Sequence, residues 1–297
     1  MLIKLAREMG FCFGVKHTIK VIDRALQRHP RIATLGTLVH NPQVVEELAR
    51  RGAYVAETIP QDDSTTAVAI TAHGAGPQVP EAVRARQLEL IDTTCPLVTE
   101  VQQLARQFTQ EGYWVVVYGD STHPEVKGVI GWAGENSYPA TSVDELPPTV
   151  PNRLRKVAII SQTTRNVSHF FDFAHQVMLK YSPRIKEFKV HNTICRPTID
   201  RQDAVVELAR QTDLVIVVGG RESANTRHLA ELALQEGTQA YHIERPEEID
   251  PSWLQGIEAV GVTAGASTPD SVISAVIDRL CALRPDSQLV QLTAQEI

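Results

Sequence analysis

Aromatic side chains make up only 5% of this 297-residue chain, so its core has to be built mainly from Val, Ile, Leu and Ala. No run approaches the ~18 apolar residues of a transmembrane helix, and no membrane is expected as a partner. Met1 to Gly10 carries Lys4, Arg7 and Glu8 without a long apolar stretch, which does not read as a secretory signal. Positive charge is not in excess either. The net charge of −6 makes nucleic acid and anionic lipid poor partners. No G-x-x-x-x-G-K-[ST] loop and no G-x-G-x-x-G turn occurs, so ATP and NAD binding are poorly supported. There are four cysteines and no C-x-x-C pair among them. In a chain expected in the cytosol, such cysteines point to metal binding or catalysis rather than disulfides.

What is present is a threefold pattern. Twenty-eight residues separate Cys12 from His40, Cys95 from His123, and Cys195 from Ser223. Each cysteine precedes an amphipathic run: Val15, Ile19, Ile22 and Leu26 after the first; Leu97, Val98, Val101, Leu104, Ala105 and Phe108 after the second; Ala204, Val205, Leu208 and Ala209 after the third. The spacing predicts three helices, each with a thiol at its positive end, where the thiolate is favoured. One cysteine at a helix start is ordinarily a small core residue. Three at one slot are better explained as ligands. Cys281 lies outside the slot, in the apolar pattern of Val272, Ile273, Val276, Ile277 and Leu280, and is expected to pack in the core.

Six short apolar runs are expected as strands: Ile32–Leu35, Ala67–Ile70, Trp114–Tyr118, Val157–Ile160, Leu214–Val218 and Ala259–Val262. Alternation with helical patterns predicts parallel βαβ units. The expected fold is α/β, with three pseudo-symmetric parallel-sheet domains around a central cavity for an iron–sulfur cluster. The predicted domains are 1–94 (Cys12, His40, His73), 95–194 (Cys95, His123, Glu125, Thr163) and 195–297, the last with a C-terminal helix and tail. Pro147, Pro148 and Pro151 mark a surface loop within the second.

Ligands of parallel α/β sheets bind at the carboxyl ends of strands. The turns there contribute His40, His73, His123, Glu125, Thr163, Thr164, Ser223, Asn225 and Ser267. Hydroxyls, imidazoles and helix N-termini make an anion site, and phosphate fits it best. Lys and Arg are nearly absent from these turns, with Arg165 and Arg221 nearest, so neutral donors, with imidazolium charge where a histidine protonates, would hold the phosphate. Glu125 is the one carboxylate closely set among the turns, and the natural proton donor. Read singly, these residues are ordinary: a Ser or Thr after a strand is usually an N-cap, and Glu125 suits a helix dipole. His17, His29, His169, His175, His191, His228 and His242 are left as surface or packing residues.

Three soft thiolates with no obvious fourth protein ligand suit iron–sulfur chemistry or a three-cysteine zinc site. Closed structural zinc would need a fourth ligand and short spacing. Ligands from three domains around a roomy cavity favour a 4Fe–4S cluster with one iron open.

Gly10-Phe-Cys12-x-Gly-Val15, Val39-His-Asn41, Ala72-His-Gly74, Thr94-Cys-Pro-Leu-Val98, His123-Pro-Glu-Val126, Gln162-Thr-Thr164 and Val262-Thr-Ala-Gly-Ala-Ser267 resemble the motifs of the LytB/IspH family of 4-hydroxy-3-methylbut-2-enyl diphosphate reductases. The resemblance runs from Met1 to about Arg284. It implies one 4Fe–4S cluster on Cys12, Cys95 and Cys195, and reductive removal of an allylic hydroxyl to give isopentenyl and dimethylallyl diphosphates, the last step of the non-mevalonate isoprenoid pathway. It further implies Glu125 and Thr163 as catalytic residues, with His40, His73, His123, Thr163, Ser223, Asn225 and Ser267 around the substrate. A cytoplasmic monomer served by an electron donor such as ferredoxin or flavodoxin is expected. The chain departs from the family at Ala224, where a second Ser is common, at His17-Thr18, at Arg196-Pro197, and at Gln291 to Ile297, where a terminal strand segment is expected to be missing. Two other classes fit the residues alone: a three-thiolate zinc hydrolase of a phosphorylated metabolite with Glu125 as base, and a non-enzymatic anion-binding redox sensor.

Overall fold

The computed structural model describes residues 1–62, 64–151 and 154–293. The chain opens with strand β1 (Leu2–Leu5) and helix α1 (Phe13–Leu26). A first βα series follows: β2 (Ile32–Leu35), α2 (Pro42–Arg50), β3 (Ala53–Ala56), β4 (Ala67–Ile70), α3 (Gln78–Ala85) and β5 (Glu89–Asp92). The second has α4 (Pro96–Gln110), β6 (Trp114–Tyr118), α5 (Pro124–Ala133), β7 (Ser137–Ala140), β8 (Lys156–Ser161), α6 (Val167–Tyr181) and β9 (Glu187–Val190). The third has α7 (Arg196–Ala209), β10 (Leu214–Val218), α8 (Ala224–Gln235), β11 (Gln239–Ile243), β12 (Ala259–Ala264), α9 (Asp270–Leu283) and β13 (Gln288–Gln291).

The strands form three sheets, ordered β3-β2-β4-β5, β7-β6-β8-β9 and β11-β10-β12-β1-β13. Every pairing in them is parallel. The three orders are equivalent once β1 is read as the fourth strand of the third sheet. The chain thus starts with the strand that its last third requires: Ile3 pairs with Val260 and Leu5 with Val262. β13 then adds to the far side of β1, from Leu2 opposite Gln288 to Leu5 opposite Gln291. β13 ends at Gln291, where the segment expected to lack a strand begins; Leu292 and Thr293 lie outside any strand, and residues 294–297 lie outside the described part.

By packing, the chain forms two compact units. One contains Met1–Val15, His40–Glu46 and the chain from Arg196 onward, and holds the third sheet. The other contains Lys16–Val39 and Glu47–Cys195, and holds the first two sheets.

The six strands expected from apolar runs are the central pair of each sheet. Helices cover both of their faces, so they need no polar side. In the third sheet, Leu214, Ile216, Val218, Val260 and Val262 join Ile273, Val276 and Leu280 of α9 on one face. Val215 and Val217 pack on the other, against Val205 and Leu208 of α7 and Leu229 and Ala233 of α8. Alternation of two along β10 sorts its residues between these clusters. Cys281 packs beside the α9 cluster, partly buried. In the second sheet, Val101, Ala105 and Phe108 of α4 meet Val126 and Val129 of α5 over Val115, Val117 and Ile160. The sequence around Pro147 to Pro151 is the connection from β7 to β8.

Ile3 is fully buried and central to β1. Ile3→Ala should cost about 2–5 kcal/mol. Hydrogen exchange should quicken at Val260 and Val262 and stay unchanged at Val116 and Ile159. Uniform acceleration in all sheets would contradict the assignment of β1 to the third sheet alone.

Candidate functional site

In each sheet the connections leave the two central strands in opposite directions, so a crevice opens at their carboxyl ends. The predicted site residues occupy these six ends. His40 and His73 follow β2 and β4; His123 and Thr163 follow β6 and β8; Ser223 and Ser267 follow β10 and β12. The repeated 28-residue spacing therefore marks the loop after the first central strand of each sheet. The three cysteines come from the fourth strands, β1, β5 and β9, and each stands within a residue of a helix start, ahead of α1, α4 and α7.

One hydrogen bond ties thiol and loop together in all three places. Cys12 N–H donates to Ala266 O at 3.1 Å, Cys95 N–H to Ala72 O at 3.0 Å, and Cys195 N–H to Thr163 O at 3.0 Å. The acceptors immediately precede Ser267, His73 and Thr164. All three cysteines are half-buried and outside any disulfide. Cys12 Sγ accepts from Val15 N–H at 3.5 Å.

In the larger unit the site residues form one connected group. The rings of His73 and His123 meet edge to face with centroids 5.3 Å apart, and Thr71 Oγ1 lies 3.2 Å from His73 Nδ1. His123 caps α5, its Nδ1 accepting from Glu125 N–H at 3.1 Å. Glu125 sits in the first turn of that helix yet is only 2% exposed. Thr163 N–H donates to Glu125 Oε1 at 2.7 Å, and Thr163 Oγ1 donates to Oε2 at 2.9 Å. Burial pushes the Glu125 carboxyl up to about 7, against the lowering effect of the two Thr163 donors and the more distant Arg165 charge. Such a carboxyl is largely protonated below pH 7 and surrenders its proton above it, in the range suited to general acid work.

The smaller unit gathers Cys12, His40, Ser223, Asn225 and Ser267. Ser267 Oγ donates to His40 O at 3.0 Å. Gly220 makes room for that carbonyl: a Cβ there would stand 2.4 Å from His40 O. Ser223 caps α8, with its Oγ accepting from Thr226 N–H at 3.3 Å. Burial holds the His40 imidazole below its ordinary pKa, with Glu222 opposing and Arg227 assisting. His40 is thus a neutral donor at neutral pH rather than the imidazolium the sequence allowed. Asn225 is buried, and among the described residues neither its Oδ1 nor its Nδ2 has a hydrogen-bond partner. An amide left this way costs stability unless a ligand completes it.

Two contributors were missed in the sequence. Arg201, on the buried side of α7, donates through its guanidinium to Gly10 O at 2.7 Å and Pro197 O at 2.8 Å, bracing the loop before Cys12. A basic residue within the apolar stripe of α7 was the available signal. Gln162 Nε2 donates to Thr164 Oγ1 at 3.2 Å, and only the adjoining Thr-Thr pair drew attention to it.

These features define a three-sheet α/β protein with cysteines, imidazoles and hydroxyls at the switch points of its sheets. The family model described as LytB protein matches residues 3–281. The chain is 39% identical over 285 residues to a protein of Dehalococcoides mccartyi strain CBDB1, covering 95% of this chain and 99% of that one. It is 41% identical over 281 residues to one of Geobacter sulfurreducens, covering 94% and 97%. Both relatives are named 4-hydroxy-3-methylbut-2-enyl diphosphate reductase. A solved reductase of that substrate, described as the terminal enzyme of the non-mevalonate pathway, matches with a TM-score of 0.70 and 36% identity over 95% of this chain and 100% of its own. The Plasmodium falciparum reductase matches with a TM-score of 0.88 and 25% identity, over 99% and 93%. The chain belongs to the LytB family.

Infrared titration should show a protonated carboxyl signal that fades as pH rises through about 7 and is absent from Glu125→Gln. In Thr163→Val, loss of the hydroxyl donor should move the midpoint upward. A downward shift would contradict the hydrogen-bond assignment.

Proposed function

We propose that this enzyme reduces 4-hydroxy-3-methylbut-2-enyl diphosphate to isopentenyl and dimethylallyl diphosphates, and that Cys12, Cys95 and Cys195 hold the 4Fe–4S cluster it needs. The observation carrying this reading is the triple recurrence of a half-buried cysteine whose backbone is tied to a polar strand-end loop. The donor set suits such a cluster: three thiols, each at or beside a helix start, one in each sheet's equivalent position. When bound, the cluster supplies electrons one at a time and a Lewis-acidic iron. The reaction balances as the allylic C–O bond breaking, with two electrons and two protons taken up and one water released.

The chain's own residues bind and protonate. Ser223, Asn225, Ser267 and the imidazoles of His40, His73 and His123 offer hydrogen bonds to the diphosphate and hydroxyl oxygens. The open Nδ2 of Asn225 is suited to a phosphate oxygen. With few cations in these loops, affinity rests on directed donors and helix N-termini. Ala224 carries no hydroxyl to add. Glu125, its carboxyl raised to about 7 and so protonated in a large share of molecules at neutral pH, holds a proton for the departing hydroxyl, and Thr163 orients that carboxyl through both donors. The names of the relatives favour reduction over the zinc hydrolase and the redox sensor.

Cytoplasmic placement, a monomeric state and a separate electron carrier complete the proposal. Among the described residues no helix is long and apolar enough to cross a membrane.

Anaerobically purified protein should be brown, with matching iron and sulfide content and a visible spectrum that changes when the diphosphate is added. A colourless zinc protein would falsify the reading. Cys12→Ser should disturb the spectrum and Cys281→Ala should not. Glu125→Gln should keep the cluster and lose turnover by about 100-fold or more, while Asn225→Ala should raise KM about tenfold. Normal turnover of Glu125→Gln would remove the proton role.

A further inference from the structure

Helix α1 has an amphipathic face whose outer side no other function uses. Val15, Thr18, Ile22 and Ala25 are buried on its inner side. Phe13, Lys16, Lys20 and Arg24 are exposed and, at 100° per residue, fall within an arc of about 80°. Phe13 is 61% exposed, unusual for a large apolar side chain, and is bonded directly to Cys12. Among the described residues, no ion pair involves Lys16, Lys20 or Arg24. The one acidic residue of the helix, Asp23, is held by Arg51 at 2.6 Å. A row of three unneutralised cations about 12 Å long thus runs toward an aromatic side chain beside a proposed cluster ligand, in a chain whose net charge is −6.

We propose that this face of α1 docks the electron carrier, a small acidic protein bearing a low-potential one-electron centre. The inference rests on the reductase reading. That reaction consumes two electrons, so two dockings are needed per turnover, each oxidising one carrier by one electron. The reaction's need for electrons selects the partner, and an acidic carrier is drawn to the local cations. Phe13, at the end of the cationic row, supplies the apolar contact that a transient interface needs. A second cationic surface, with Arg155, Lys180, Arg184 and Lys186, is the alternative. Arg155 and Lys186 lie where β8 and β9 begin, at the strand ends opposite those that carry Thr163 and Cys195. An electron arriving there would have to traverse the length of the sheet, which makes α1 the better entry.

The test uses cluster-loaded enzyme, with turnover driven either by reduced [2Fe–2S] ferredoxin or by dithionite. Reversing Lys16, Lys20 and Arg24 together to Glu should raise the ferredoxin KM about tenfold or more and flatten its salt dependence. Dithionite-driven turnover and the visible spectrum should be unchanged. The triple Gln variant should give a smaller loss in the same direction. An unchanged ferredoxin KM overturns the proposal, as does an equal loss with both reductants in both variants. It also fails if reversing Arg155, Arg184 and Lys186 produces the ferredoxin-specific loss instead. Wild-type enzyme with an intact cluster that turns over the diphosphate with neither reductant would instead refute the reductase reading.

Discussion

The hydrogen bond from a cysteine backbone N–H to the loop after a central strand is the contact on which the site depends. It occurs at Cys12, Cys95 and Cys195, at 3.0–3.1 Å each time. Each bond joins the fourth strand of a sheet to the carboxyl end of its third. A thiol and a polar loop that are far apart in sequence are thereby set at a fixed distance. The most distant case links Cys12 to Ala266, made possible because β1 completes the third sheet. A slip in register between these strands would part the thiol from its loop, because a shift of one residue also turns every side chain of the slipped strand to the opposite face.

Packing around these bonds explains why polar residues can sit deep in the protein. Glu125 is tolerated because Thr163 satisfies both of its oxygens and because the neutral acid needs no counter-ion. Two carbonyls receive the Nη1 and Nη2 groups of Arg201, while its Nε has no partner among the described residues. The amide of Asn225 is buried with neither end partnered among the described residues.

Legibility in the sequence followed burial. Central strands such as Trp114–Tyr118 and Leu214–Val218 announce themselves because helices cover both faces and every residue is apolar. Their outer neighbours do not. Leu2–Leu5, Glu89–Asp92, Ser137–Ala140 and Glu187–Val190 mix polar and apolar residues and resemble loops. Their pairing comes from the neighbouring backbone, which no local pattern encodes. The helix starts after the cysteines were legible for the opposite reason, since Val98, Val101, Ala105 and Phe108 carry a helical period that needs no partner to recognise.

By itself the sequence determined the α/β class, the central strands, the cysteine slot and the polar loops, because each is written in local composition and spacing. Tertiary structure decided that β1 belongs to the last sheet and that β13 extends it. It also decided that Glu125 faces Thr163 as a neutral acid instead of serving the helix dipole in water, and that burial keeps His40 neutral. Those outcomes depend on strand pairing and desolvation between segments as far apart as Ile3 and Val260, interactions that exist only once the chain has folded.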